Sequence, residues 1–123
     1  HLFDMTAPDE DFQMKENSIV ITFGSIEQLA GRFHTFLDFL LSRSPALCIS
    51  LEPTAELYDK KKLVDYLATK FHKKRGYTEN YLPSLRKLQD QGKIEVLKVK
   101  RLFMGSLFME GYNYMIWKPT GEA

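Results

Sequence analysis

Three short stretches carry side chains that could do chemistry. In "FGSIEQ", residues 23 to 28, Glu27 and Gln28 sit where an apolar run hands over to an amphipathic segment. In "LEPTAELY", residues 51 to 58, Glu52 directly follows the run "ALCISL", with Glu56 and Tyr58 just beyond. In "HKKRGY", residues 72 to 77, His72 and Arg75 lie three apart on one helical face and Tyr77 follows a glycine. A carboxylate at such a corner could orient or deprotonate a hydroxyl or amine. A guanidinium beside a histidine and a tyrosine could grip a polar or anionic molecule through its planar fork. Each group also has a plainer role. Glu27 and Gln28 suit the first turn of a helix, Glu52 suits a strand stop, and Lys73 and Lys74 suit a solvated helix end. His1, His34 and His72 have no metal-ligand spacing and Cys48 is the sole cysteine, so no metal site is expected. No Ser-His-Asp signature and no phosphate loop is present.

These groups need elements to hold them. "SIVITF" (18 to 23) and "ALCISL" (46 to 51) are apolar almost throughout and rich in β-branched residues, as strands buried on both faces are. Between them, Ser25 offers an N-cap with Gln28 at capping-box spacing. A helix is expected from there to the "RSP" that ends it, with Leu29, Phe33, Phe36, Leu37, Phe39 and Leu40 as its apolar face. Strand, helix, strand in that order is a βαβ crossover, which requires parallel pairing. A second helix is expected over about 59 to 74, with Leu63, Val64, Tyr66, Leu67 and Phe71 apolar and Gly76 as its stop. Thr78 caps a third helix with Leu82, Leu85 and Leu88 inward, ending at Gly92. "KIEVLKVKRLF" and "LFMEGYNYMIWKP", joined by "MGS", make an antiparallel hairpin.

A hydrophobic content of 44% over 123 residues suits one globular domain with a real core. The charge is split. Residues 1 to 59 carry 3 basic and 10 acidic side chains, whereas 60 to 103 carry 13 basic and 4 acidic. Such a split points to an anionic partner for the second part, or to attraction between the two. The lone Cys48, the acidic opening "HLFDMTAPDEDF" and the lack of a run near the roughly 20 apolar residues of a bilayer span favour the cytoplasm, with no membrane partner. The chain opens on His1 rather than methionine, so a piece of a longer protein is expected.

Two architectures fit this order. A winged helix over 59 to 118, a nucleic-acid-binding module using the basic 60 to 103 region, leaves the apolar βαβ without a role. An α/β domain uses every element, as the second half of a doubly wound sheet: two parallel strands with a helix crossover, then helices and a C-terminal antiparallel hairpin. "NSIVITFGSIEQL", "PALCISLEPTAELYD", "FHKKRGYT", "GKIEVLKVKR" and "EGYNYMIWKP" together resemble the C-terminal half of class I, Rossmann-like S-adenosylmethionine-dependent methyltransferases. The resemblance covers about residues 16 to 119 and is one of pattern and order.

It implies that the fourth strand of such an enzyme ends near the methyl donor and the fifth near the acceptor. Phe23, Gly24, Ser25 and Gln28 would then line S-adenosylmethionine. Glu27, Glu52 and His72 would be catalytic, and Glu56, Tyr58, Arg75 and Tyr77 would bind a small-molecule or sugar acceptor. The glycine-rich loop of the family is missing, and no G-x-G occurs in the chain. The family's cofactor-binding half is therefore expected upstream of His1, and the isolated chain is expected to be inactive. A half sheet would expose an edge strand and an apolar flank, which invites a homodimer through that edge or through the hairpin.

Overall fold

The computed structural model of the chain describes residues 3–29, 31–59, 61–76, 80–102 and 113–120. Ile19–Phe23 (β1) and Leu47–Glu52 (β2) are parallel neighbours, in register from Ile19 with Leu47 to Phe23 with Leu51. Ile94–Arg101 (β3) and Asn113–Pro119 (β4) pair antiparallel, with a bulge between Val96 and Lys98. β4 also pairs antiparallel with β2, so the sheet order is β1-β2-β4-β3. Two reversals of direction make β3 run the same way as β1 and β2. The carboxyl ends of all three therefore share one edge. The hairpin is thus an integral part of the βαβ sheet, where a winged helix would have it stand apart.

The pleat sends alternate residues to opposite faces, and the two faces differ. Cys48, Ser50 and Glu52 of β2 face the same way as Asn113, Met115 and Trp117 of β4, and all six are buried. His34–Arg43 (α1) and Tyr81–Asp90 (α3) share their core, through Phe36, Leu37, Phe39 and Leu40 of α1 and Tyr81, Leu82 and Leu85 of α3. The other face shows two rows, Ile21–Ile49–Ile116–Lys98 and Phe23–Leu51–Tyr114–Lys100, all exposed or half-buried. Ile21, on β1, is 62% exposed.

Several elements differ from their sequence reading. The first helix is broken into a 3-10 turn, Ile26–Leu29, and α1, which starts only at His34. Ser25 does not cap it: its hydroxyl donates to Phe23 O, and Gln28 Nε2 donates to Gly24 O. α1 ends on Ser44 in the left-handed conformation, before Pro45. Leu63–Arg75 (α2) starts four residues later than the expected 59. It also turns its expected apolar face outward: Leu63, Val64, Tyr66 and Leu67 are exposed, whereas Asp65, Ala68 and Thr69 are buried. Gly76 and Gly92 end α2 and α3 with positive φ of 68° and 75°, where glycine carries no Cβ penalty. Thr78 and the "MGS" turn lie outside the described residues.

Candidate functional site

The carboxyl edge of the sheet is the candidate site, because three strands deliver their last side chains there. Glu52, Asn113 and Arg101 form a single cross-strand row on the covered face. Glu52 is 2% exposed, and its Oε1 accepts the backbone N–H of Ser25 at 3.2 Å and of Ile26 at 3.0 Å. A carboxylate on β2 therefore supplies the cap that the sequence assigned to Ser25. Negative charge against the first N–H groups of a helical turn is favourable on both dipole and hydrogen-bond grounds. In the same corner Gly24 N donates to Leu51 O at 2.9 Å.

The loop after β2 is pinned to the same edge. Thr54 Oγ1 donates to Glu52 O. Arg101 forms a two-pronged pair with Asp65 of α2, Nη1 donating to Oδ2 at 2.9 Å and Nη2 to Oδ1. Its guanidinium lies over the Tyr58 ring at 5.1 Å, and Nη1 also reaches Leu57 O. Asp65 further accepts the N–H of Asp59 at 2.7 Å. A bidentate pair this shielded from water is held by geometry as much as by charge. Asn113 is fully buried; its Oδ1 accepts Leu102 N–H, and its Nδ2 has no partner among the described residues.

The structure gathers most of the sequence candidates at this edge, in varied roles. Glu52, Ser25 and Gly24 make one corner, and Tyr58 sits beneath Arg101. Glu56 is exposed and accepts Asn80 N–H at 2.6 Å, where α3 begins. Phe23 ends β1 with its ring on the open face. Arg75 is apart from the corner, exposed at the end of α2 and stacked over Phe71 at 5.5 Å. The backbone of Glu27 belongs to the 3-10 turn beside Glu52. The side chains of Glu27 and His72, and all of Tyr77, lie outside the described residues.

Sequence reasoning missed Asp65, Arg101 and Asn113. Asp65 did carry a signal, as the only carboxylate between Lys60 and Thr78 in an otherwise basic stretch. Asn113 and Arg101 carried none, since their meeting depends on β4 being inserted between β2 and β3.

The residues expected to hold S-adenosylmethionine do not by themselves fit it. The backbone donors of Gly24, Ser25 and Ile26 are already engaged within the fold, and the Gln28 amide is turned onto Gly24 O. Among the described side chains, this corner presents the Phe23 ring and the exposed Gln28 outward. Away from the edge, burial pushes the Cys48 thiol from 9.0 up to about 12. It also raises the phenol of Tyr81, which bonds Ser50 Oγ at 2.9 Å. Both are inert core groups at neutral pH. An apolar cleft of about 610 Å³ lies between the N-terminal segment, β1 and α1, lined chiefly by Phe3, Phe12, Met14, Val20, Phe36 and Phe39. Among the described residues, no cluster of histidine, cysteine and carboxylate groups could hold a metal ion, and no helix is long and apolar enough to cross a membrane.

No family model, curated protein or solved structure matches the chain.

Proposed function

We propose that the chain is the acceptor-side half of a class I methyltransferase-like domain, the second part of a doubly wound sheet, acting on a small-molecule or sugar acceptor in the cytoplasm. One observation carries most weight: two parallel apolar strands bring Gly24 and Glu52 side by side at a carboxyl edge, and an antiparallel last strand completes the sheet. That order is what the family resemblance implies. In this scheme Glu52 positions the β1 corner, Arg101 and Asp65 fix the loop bearing Glu56 and Tyr58, and Glu56, held through Oε1 by Asn80 N–H, stands at the exposed edge for an acceptor. Because the corner residues do not complete a donor site, no transfer step is assigned to them.

The test is photolabelling of the native polypeptide that carries this chain, using S-adenosylmethionine with a radioactive methyl group. Label in the peptide spanning Phe23 to Gln28, competed by unlabelled donor, supports the assignment. A native protein that takes no label, while a known methyltransferase in parallel does, overturns it.

A further inference from the structure

We propose that α2 is a docking helix for an anionic lipid surface. The helix is inside out relative to its core. Its buried side is Asp65, Ala68 and Thr69, and its outward side carries Leu63 at 70% exposure, Leu67 at 45%, Val64 and Tyr66. At 100° per residue, Leu63, Leu67, Phe71 and Val64 fall in one outward sector. Lys70 and Lys73 border that sector on one side and Arg75 on the other, while Lys74 lies within it on the last turn. Lys61 and Lys62 stand just before the helix, and all six cations are exposed. The one carboxylate in 61 to 76 is Asp65, which is turned inward onto Arg101. The outward face is therefore apolar and cationic, with no acid on it.

Three occupants from outside the polypeptide could cover such a face, and the physics separates them. A second copy would bring six cations against six, so like charge opposes it. Nucleic acid would neutralise the lysines, yet it would leave protruding leucines unused, since a polyphosphate offers them no apolar partner. An interfacial lipid layer takes both: acyl chains receive Leu63, Leu67 and Phe71, while lysines extend along their stems to anionic headgroups. Tyr66, with Lys70 over its ring at 4.8 Å, has the polar-tipped aromatic form that favours the headgroup depth. A single convex helix also suits a deformable plane. The lack of a spanning segment bears on spanning alone, and this helix would lie in the surface plane. None of this depends on the methyltransferase assignment.

The test is co-sedimentation of the chain with vesicles of phosphatidylcholine alone, and with about one phosphatidylserine in three lipids. Binding is expected only to the mixed vesicles and should weaken as salt rises. Each Lys→Gln change among Lys70, Lys73 and Lys74 should lower partitioning about fivefold, equivalent to about 1 kcal/mol per cation. Leu63→Gln with Leu67→Gln should lower it at least tenfold, with circular dichroism and melting unchanged because both side chains are exposed. Failure to bind mixed vesicles overturns the proposal. So does binding that ignores the leucine pair, salt-dependent duplex RNA or DNA binding without lipid binding, or a wild-type dimer that the leucine pair dissolves.

Discussion

Replacing Glu52 separates a structural carboxylate from a catalytic one. Glu52→Ala removes the acceptor of two backbone donors, at 3.2 and 3.0 Å, and Ile26 is almost completely buried. A buried donor left unpaired costs about 1–3 kcal/mol. Ser25 is half-exposed and can recover a water, so its donor falls at the low end and that of Ile26 at the high end. The sum is about 4 kcal/mol, a large share of the 5–15 kcal/mol of a typical domain. With a urea slope of about 1.5–2 kcal/mol per molar, the midpoint should fall by about 2–2.7 M. Glu52→Gln keeps an oxygen in place but loses the charge, so about half the loss is expected. Urea titration read by far-UV circular dichroism and by the single Trp117 gives the order wild type, Gln, Ala. A loss below about 1 kcal/mol for Glu52→Ala would mean that the carboxylate does not hold the corner. Under the methyl transfer proposed above, turnover of the native protein then adds a second axis. Glu52→Gln should keep its rate per folded molecule within a few-fold if Glu52 only positions, and lose it by orders of magnitude if Glu52 moves a proton.

Arg101→Ala should cost about 3–5 kcal/mol by stranding buried Asp65, whereas Asp65→Leu with Arg101→Met should recover most of that loss; denaturation of the single and double variants measures it. Stability should be whole below about pH 9 and decline as pH rises from there towards about 12. The unfolded chain releases the Cys48 and Tyr81 protons first, and the folded chain holds both. Melting curves across that range should flatten in Cys48→Ala and Tyr81→Phe, and a wild-type stability constant to about pH 11 would contradict both shifts. Iodoacetamide should leave native Cys48 unmodified at neutral pH and label it in urea, as mass spectrometry reads directly. Ile21→Lys, on the exposed end of the open face, should stay within about 0.5 kcal/mol of wild type while lowering any self-association seen by sedimentation.

The elements legible in the sequence were those set by local pattern. β1 and β2 are apolar runs too long and too β-branched to be turns, and their long connection left parallel pairing as the ready solution. α3 kept its inward Leu82 and Leu85 because its polar and apolar sides are well separated. The site was legible only as an edge. Glu52 was found because a charge after an apolar strand must lie at the sheet's end, but its role was not, since the N–H groups it accepts come from residues 26 and 27 positions away. The break between Leu29 and His34 also escaped, because a continuous heptad-like apolar pattern runs through a segment whose start is held by a distant carboxylate. α2 was misjudged for the same class of reason. Periodicity says which residues share a face and is silent about which way that face turns.

The direction of α2 is a contest between two terms of similar size. Rolling the helix inward would bury Leu63 and Leu67, worth about 1.5–3 kcal/mol each when fully withdrawn from water. The same roll would pull Asp65 from Arg101 and from Asp59 N–H, leaving a guanidinium uncompensated over Tyr58 at a cost of about 3–5 kcal/mol. Leu63 and Leu67 are only 70% and 45% exposed, so the roll would gain about 2–3.5 kcal/mol in all. The ion pair outweighs that only narrowly, and it does so by fixing orientation, since a buried pair adds little net stability of its own. A helix held in this way keeps its apolar face outward at a standing cost in exposed surface. That cost is recovered wherever an apolar surface meets the face, and the surrounding lysines restrict which surface that is. The charge split of the chain has the same sense: Arg43 pairs with Glu10 inside the acidic stretch and Arg101 with Asp65 inside the basic one. Among the described residues no ion pair joins the acidic stretch to the cations of α2, and in the docking proposed above those cations meet an external anion, with the leucines beside them at the depth where it borders hydrocarbon.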